Sequence, residues 1–582
     1  MTMRFAAADT ASDRVPLAEL YDLIVLGGGA GGLTAALVAA LEGQRVLLIE
    51  KNAQVGGTSA RSSGTVWIPD NPQMREQGIR DDAGLAMQYL DALVGDRAPR
   101  GLRRAFLAAG PELIAYLRAR TDIEFRPYPH APDYRQDMPG AALGWRPLEP
   151  AEFDGRKLGP RFKEIGWPIP ELTLFNGMMI TRGEATRLLK ALTDWEAFRL
   201  GARLVARYAM DRLRHPRGTR LVLGNALVAM LYRQAIERGV TILLNGVVSK
   251  LSREGGRVSG VIVGREGGST QVRARRGVVL AGGGFPANAE WRERYLPSPA
   301  PRYTPAFDGC TGETISLALS IGASLGPAGE DNGFWFPSSV ATRKDGSTAV
   351  YPHIVLDRAK PGLVAVNAAG RRFVNEAVSY HEFTRAMYRA HRRVACIPAY
   401  LVCDRAFVWK HGLGMIRPRT PFLGRYIESG YLIVAGTIRE LAVRIGADPE
   451  GLAETVRRNN DDARAGIDTE FGKGGNAYDR AGGDAEHRPN PCLGAIERPP
   501  FCAVAVLPTP LATSLGLLTN ASAQVLDREG NPLEGLYACG NDMHSIFGGE
   551  YPGAGAQLAQ AMVFAYLAAR HAAGSSRGES ES

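Results

Sequence analysis

Residues 21–50 read YDLIVLGGGAGGLTAALVAALEGQRVLLIE, and this stretch decides the fold. An apolar run at 21–26 predicts a buried strand and a glycine turn follows it. An apolar helix to about residue 44 leads into a second buried strand at 45–50, so the segment reads as one βαβ unit. Gly27, Gly29 and Gly32 supply G-x-G-x-x-G spacing between strand and helix, with Ala30 and Gly31 completing the turn. The first glycine permits the tight turn, the second lets backbone approach a pyrophosphate, and the third lets helix pack on strand. The helix start offers free N–H groups and partial positive charge to phosphates. Glu50 ends the second strand, where its carboxylate can hold the hydroxyls of an adenosine ribose. Strand, turn, helix and terminal acid are in register, and together they predict a dinucleotide site.

Around this unit the chain is an ordinary globular one. Its 582 residues suggest roughly three to four domain-sized units, and 45% apolar with 22% charged residues is unremarkable for such a protein. The 69 glycines gather beside apolar strands, as tight turns against a ligand require. Net charge is +9, with arginines densest at 203–220 and 385–393. Neither stretch interleaves aromatics, so both read as solvated helix faces and a nucleic-acid partner is not expected. Cys310, Cys396, Cys403, Cys492, Cys502 and Cys539 form no CxxC pair and no metal-ligand spacing. Free thiols in a reduced, cytoplasmic setting and no metal are expected. Residues 1–19 read as a loose leader without a signal-peptide core, and 573–582 as a polar tail. No apolar run reaches the ~20 residues that span a bilayer, so no stable membrane insertion is expected.

The loop after Glu50, KNAQVGGTSARSS at 51–63, resembles the one that carries the rest of FAD in the family of fumarate reductase flavoproteins and 3-ketosteroid dehydrogenases. Gly56, Gly57, Thr58 and Ser59 match its motif, flanked by Lys51 on one side and Ser63 and Gly64 on the other. The resemblance continues through VVLAGGGF (278–285, with Gly283), ACGND (538–542, with Asn541) and the helix opening at Gly555, with Gln557 and Leu558. It implies an α/β fold: a Rossmann-like FAD-binding domain of the glutathione-reductase type with an inserted α+β catalytic domain. The FAD domain would be split into 20–300 and 506–575 around an insert at 301–505. No flavin-linking context is recognised, so FAD would be non-covalent.

Two branches of that family differ in what faces the flavin. In the fumarate reductase branch a C-terminal arginine holds a substrate carboxylate. Here the corresponding stretch, FGGEYPGAGAQL at 547–558, has Tyr551 at that position, and Glu550 beside it would repel a carboxylate. The stretch resembles instead the YPGxG loop of 3-ketosteroid 1-dehydrogenases. Desaturating a ketone removes a weakly acidic α proton and a β hydride, so the developing enolate needs donors aimed at its oxygen. The resemblance assigns that task to the Tyr551 hydroxyl and the Gly555 N–H. It assigns the general base to Tyr380, which closes GRRFVNEAVSY at 370–380, and a supporting role to Tyr134 in PHAPDYRQDMPG at 129–140. A tyrosine acts as base when donors or positive charge lower its pKa from ~10. Arg371, Arg372, Asn375 and Glu376 read as holding the base loop, and His381 and His544 as structural. Phe334, Trp335 and Phe336 line a substrate channel or pack between domains.

The reading is an FAD-dependent dehydrogenase acting on an apolar ring ketone, foremost a 3-ketosteroid, with an external electron acceptor. A smaller cyclic ketone, a reductase running the same machinery backwards and a non-catalytic electron-transfer subunit are the alternatives. An intact Tyr380–Tyr551 pair argues against the last.

Overall fold

In the opening strand, Leu20–Leu26, the residues Leu23, Ile24 and Val25 are wholly buried. Burial on both faces is the signature of a parallel sheet covered by helices. This computed structural model describes residues 17–574 apart from 192, 266, 267 and 355, so most of the leader and tail lie outside the described residues. The main sheet runs in the order Gln524–Leu526, Pro532–Ala538, Gly268–Leu280, Leu20–Leu26, Val46–Ile49, Thr241–Leu243. All but the first pair are parallel. The long strand Gly268–Leu280 also extends beyond the parallel core, where it carries the antiparallel strands Arg257–Arg265 and Val247–Glu254.

The helix Ala30–Leu41 is buried almost all round because its side chains are small, and it packs against helices Leu223–Glu237 and Ala556–Ala572. The glycine turn is sterically obligatory. Gly27 has φ +110°, and a Cβ there would lie 2.3 Å from the Ala281 carbonyl oxygen; one on Gly32 would lie 1.9 Å from the Gly27 oxygen. Asp542, fully buried, accepts from the Gly282 N–H at 2.6 Å and the Gly284 N–H at 2.9 Å. It thereby ties the glycines after Gly268–Leu280 to the segment that follows Pro532–Ala538.

A second, wholly antiparallel sheet has the order Thr348–Pro352, Gly333–Thr342, Phe501–Thr513, Ala399–Asp404, Leu363–Val366, with Ile433–Ala435 also on Phe501–Thr513. The helix Tyr380–His391 packs on Gly333–Thr342. The pairing of a parallel α/β sheet with a separate antiparallel sheet and its helices is the architecture expected from the sequence. All six cysteines are free and buried, and no helix among the described residues is long and apolar enough to cross a membrane.

The arginine stretch at 385–393 departs from its reading as a solvated face. Arg389, Arg392 and Arg393 are exposed, but Arg385 is buried and paired with Asp331 and Glu550. Arg389 lies four residues on, one turn nearer the helix end, where the same face has run out into solvent.

The loop before Tyr380 is fastened by buried charge. Arg372 bonds Glu376 and Asp468, each at 2.8 Å, while Lys473 lies 3.3 Å from Glu376 and Asn375 donates to Asp479 at 2.8 Å. Burial raises the Asp468 pKa, but the hydrogen bonds and charge of Arg372 outweigh it and hold the carboxyl at about 2. A folded-state pKa below the unfolded value of ~3.9 contributes stability that is present above that pH and lost as pH falls towards 2, here ~2–3 kcal/mol. Denaturant unfolding should therefore find Asp468→Asn destabilised near neutrality, with the gap from the parent closing between pH 4 and pH 2. A gap independent of pH contradicts this account.

Candidate active site

The dinucleotide cradle is assembled by hydrogen bonds between loops. Gly28 N–H donates to Glu50 Oε2 at 2.8 Å, and Asn52 donates to Oε1 from its backbone (3.0 Å) and its amide (2.7 Å). Gly56 N–H reaches the Gly28 oxygen at 2.8 Å, which brings the 51–63 loop against the glycine turn. Ser59 Oγ accepts from Ala30 N–H at 3.1 Å. Among the described residues the N–H groups of Gly29, Gly31 and Gly32 donate to nothing, so the helix start retains its capacity for phosphate oxygens. Thr58 Oγ1 accepts from Phe307 N–H at 3.0 Å and lies 3.5 Å from Cys310 Sγ. The Lys51 ammonium is engaged by Thr311 and Glu313, both at 2.9 Å. Ser63 Oγ takes the Thr65 hydroxyl at 3.0 Å, and Gly64 packs against the backbone of Leu223 and Gly224.

At the far end of the cradle, Gly283 backs onto Cys310 and Asn541 onto Gly284. Gly555, at φ +91°, caps the helix Ala556–Ala572, and a Cβ there would meet the Thr65 oxygen at 2.2 Å. In that helix's first turn, beside Leu558, both polar ends of the Gln557 amide are buried without a partner. Buried amides are ordinarily satisfied, and a flavin ring, which carries donors and acceptors along one edge, would satisfy this one. These residues fit FAD. Sequence reading missed Asp542, whose signal was its place next to Asn541 in the matched ACGND run.

Three tyrosines from distant segments converge. Tyr380 opens its helix behind Ser379, whose hydroxyl accepts from Glu382 N–H at 3.2 Å. Tyr134 is docked on the Tyr551 loop, with its N–H on the Pro552 oxygen at 3.0 Å. Its hydroxyl lies 2.8 Å from that of Tyr380. The ring of Tyr551 is 5.4 Å from Tyr134 and 5.5 Å from Tyr380, centroid to centroid. Phe336 packs edge-on to Tyr380 at 4.5 Å and Phe334 to Tyr551 at 5.4 Å. Strand alternation turns Trp335 to the other face, where its Nε1–H bonds Asp331 at 2.9 Å.

Two residues the sequence did not single out complete the cluster. Tyr478 stands 5.1 Å from Tyr134. Arg358 is buried, and its guanidinium donates to the carbonyl oxygens of His353, Ile354, Glu376 and Val378 without an ion pair among the described residues, close behind the base loop. Neither lies in a matched motif, and only the tertiary fold reveals them. The lowered base pKa expected from the sequence is not found. Burial raises the Tyr380 hydroxyl well above the ordinary tyrosine value, with its tyrosine neighbours adding to the rise. Burial likewise pushes Tyr551 and Tyr478 up to about 12, with Arg358 pulling the latter down in part. The tyrosines are therefore protonated at neutral pH before substrate enters.

Glu550 does not face the site as the sequence suggested. It points to Arg385 at 2.9 Å and Arg97 at 3.3 Å, so its charge is compensated and its argument against a carboxylate substrate lapses; the replacement of arginine by Tyr551 stands. His381 is buried, accepts the Trp335 N–H at 3.4 Å and is kept neutral by desolvation, with its ring 5.9 Å from Tyr551. His544 is held neutral by burial, with its pKa lowered to about 4, and packs on Gly326.

Comparison with known proteins shows what the chain as a whole is similar to. The FAD binding domain family matches residues 22–558. A 4-oxocyclohex-2-ene-1-carboxylate 5-dehydrogenase of Sinomonas cyclohexanicum is 35% identical over 95% of this chain and 93% of its own length. A 3-oxosteroid 1-dehydrogenase of Mycolicibacterium smegmatis is 33% identical over 94% and 96% respectively. The crystal structure of 3-ketosteroid delta1-dehydrogenase from Sterolibacterium denitrificans in complex with 1,4-androstadiene-3,17-dione superposes with a TM-score of 0.90 at 37% identity, covering 96% of this chain and 100% of that one. With the cradle and the tyrosine cluster in place, the chain belongs to the FAD-binding family of 3-ketosteroid and ring-ketone dehydrogenases and is an FAD-dependent oxidoreductase.

Proposed function

We propose that the protein introduces a C=C bond α,β to the carbonyl of a ring ketone, foremost a 3-ketosteroid. The observation that carries this reading is the 2.8 Å contact between the Tyr134 and Tyr380 hydroxyls beside Tyr551. Tyr551 and the Gly555 N–H hold the ketone oxygen and stabilise the enolate as it develops. Tyr380 receives the α proton as phenolate, its own hydroxyl proton having passed through the Tyr134 hydroxyl to solvent. The charge of Arg358 acts on that Tyr380 hydroxyl and works against the burial and the neighbouring phenols that raise its pKa. Bound FAD supplies the acceptor for the β hydride, and an external acceptor regenerates it. Phe334 and Phe336 form an apolar wall that suits a fused-ring substrate and excludes water.

The FAD domain is taken as 20–300 with 506–575, and the catalytic domain as 301–505. Tyr380 then comes from the insert and Tyr551 with Gly555 from the FAD domain, an interface placement that suits closure over substrate.

A second reading is a smaller ring ketone bearing a carboxylate, and Arg182 favours it. Its guanidinium makes no ion pair among the described residues, donates to Tyr128 at 3.4 Å and exerts its charge on Tyr134 and Tyr478. Such an arginine can take a substrate carboxylate.

Anaerobic mixing with 3-ketosteroids and with 4-oxocyclohexanecarboxylate should bleach the flavin absorption with at least one of the two; bleaching by neither defeats the dehydrogenase reading. Tyr551→Phe should slow bleaching by ~100-fold as an oxyanion donor is lost, and an unchanged rate would reduce Tyr551 to a packing role. Arg182→Met should raise the KM for the carboxylated ketone by ~10-fold or more and leave that for a neutral steroid alone if the second reading holds. Equal effects on both exclude it.

A further inference from the structure

Glu550 and Arg385 lie outside the proposed proton and hydride transfers, yet they join the two elements that perform them. Arg385 sits on the helix that Tyr380 opens, while Gly549 and Glu550 immediately precede Tyr551. The Arg385 Nη2 donates to the Gly549 oxygen at 2.9 Å and Nη1 to Glu550 Oε1 at 2.9 Å. Its Nε donates to Asp331 Oδ2 at 2.7 Å, and that same oxygen accepts from Trp335 Nε1 at 2.9 Å. The guanidinium thus grips the Tyr551 loop on one side and the Phe334–Phe336 strand on the other.

The grip is electrostatically closed. Side-chain exposure is 7% for Arg385, 8% for Glu550 and 6% for Asp331. Other charges stand around the group: Glu382, 3.3 Å from Arg385 and 3.9 Å from Arg389; Arg97, half-exposed and 3.3 Å from Glu550; Arg135, which acts on Glu382 and Glu550; and Glu330, which acts on Asp331; His381 beside them is neutral. At the centre one guanidinium meets two carboxylates where water is scarce, so none of these three can rotate away without leaving a buried charge unpaired. A planar fork with fixed N–H directions sets distances that a lysine cannot reproduce.

We infer that Arg385, acting through Glu550 and the Gly549 carbonyl, is a positioning residue that fixes the Tyr551 hydroxyl relative to Tyr380. This rests on the roles proposed above for the two tyrosines. An oxyanion donor must stand within hydrogen-bond reach of the developing charge, and a displacement of ~1 Å costs on the order of 100-fold in rate. The clamp acts on geometry, through protein partners alone.

The test compares Arg385→Met, Arg385→Lys, Glu550→Gln and the Arg385→Met/Glu550→Gln pair as FAD-loaded proteins. Readouts are the flavin reduction rate per bound FAD, the isotope effect on α-deuterated ketone, and titration with a para-substituted phenol followed through the oxidised-flavin spectrum. The phenol stands in for the enolate and reports the donor site without turnover. Glu550→Gln, which preserves shape and spares the fold, should lower the rate ~10-fold, raise the isotope effect and weaken phenol binding. Arg385→Met should lower the rate ~100-fold, with Arg385→Lys recovering part of it and the pair non-additive. Rates per FAD, isotope effects and phenol affinity that match the parent in Glu550→Gln, with only unfolding temperatures lowered, would overturn the positioning role. If no ring ketone reduces even the parent, the proposed function fails, whereas the phenol titration still decides the clamp.

Discussion

The carboxylate of Asp542 lies fully buried with no ion pair among the described residues, held by the N–H groups of Gly282 and Gly284. Burial raises its pKa, and the surrounding donors, Thr314 among them, work against that rise. A buried carboxylate is tolerated only where such donors are fixed. That demand keeps the glycine loop after Gly268–Leu280 closed on the segment leaving Pro532–Ala538. The segment it anchors runs on through Ser545 and Phe547 to Tyr551, then to the Gly555 cap and the Gln557 amide, held further along by Arg385 and Tyr89. The far end of the cofactor cradle and the Tyr551 loop are thus one continuous piece of chain that leaves this carboxylate.

The tyrosine cluster proposed as catalytic is built on the opposite principle. Its tyrosines are neutral, so bringing them together costs little electrostatically, and the charges are kept one layer behind. Arg358 stands behind Tyr380, and the Arg385–Glu550–Asp331 group stands behind Tyr551. An apolar front with charge set behind it would strengthen the hydrogen bonds that the proposed reaction asks for, because local screening is weak.

Much of this was legible in the sequence where function depends on backbone geometry. Gly27, Gly32 and Gly555 sit where a Cβ would collide with a neighbouring carbonyl, and glycine patterns of that kind are local and readable. Tyr134, Tyr380 and Tyr551 were reached through short motifs, and the fold brings all three together. Long-range pairing was not legible. Glu550 was read as facing substrate because its partner, Arg385, lies 165 residues earlier in the chain. Arg385 was read as solvated because it belongs to a run whose other arginines are exposed. Tyr478 and Arg358 carry no local signature at all. The direction of the Tyr380 pKa shift was missed for a related reason: a motif names a base, but burial and neighbouring phenols decide its protonation.

The central claim is that Tyr380 exchanges a proton with the carbon α to a ketone held by Tyr551 and Gly555. It is tested most directly by hydrogen exchange uncoupled from hydride transfer. The measurement follows deuterium incorporation from heavy water into a ring ketone with no hydrogen at either β carbon, in the presence of the FAD-loaded protein. The account predicts exchange at the α carbon well above the buffer rate, abolished by Tyr380→Phe with FAD still bound. Exchange that persists in Tyr380→Phe at the parent rate would contradict it.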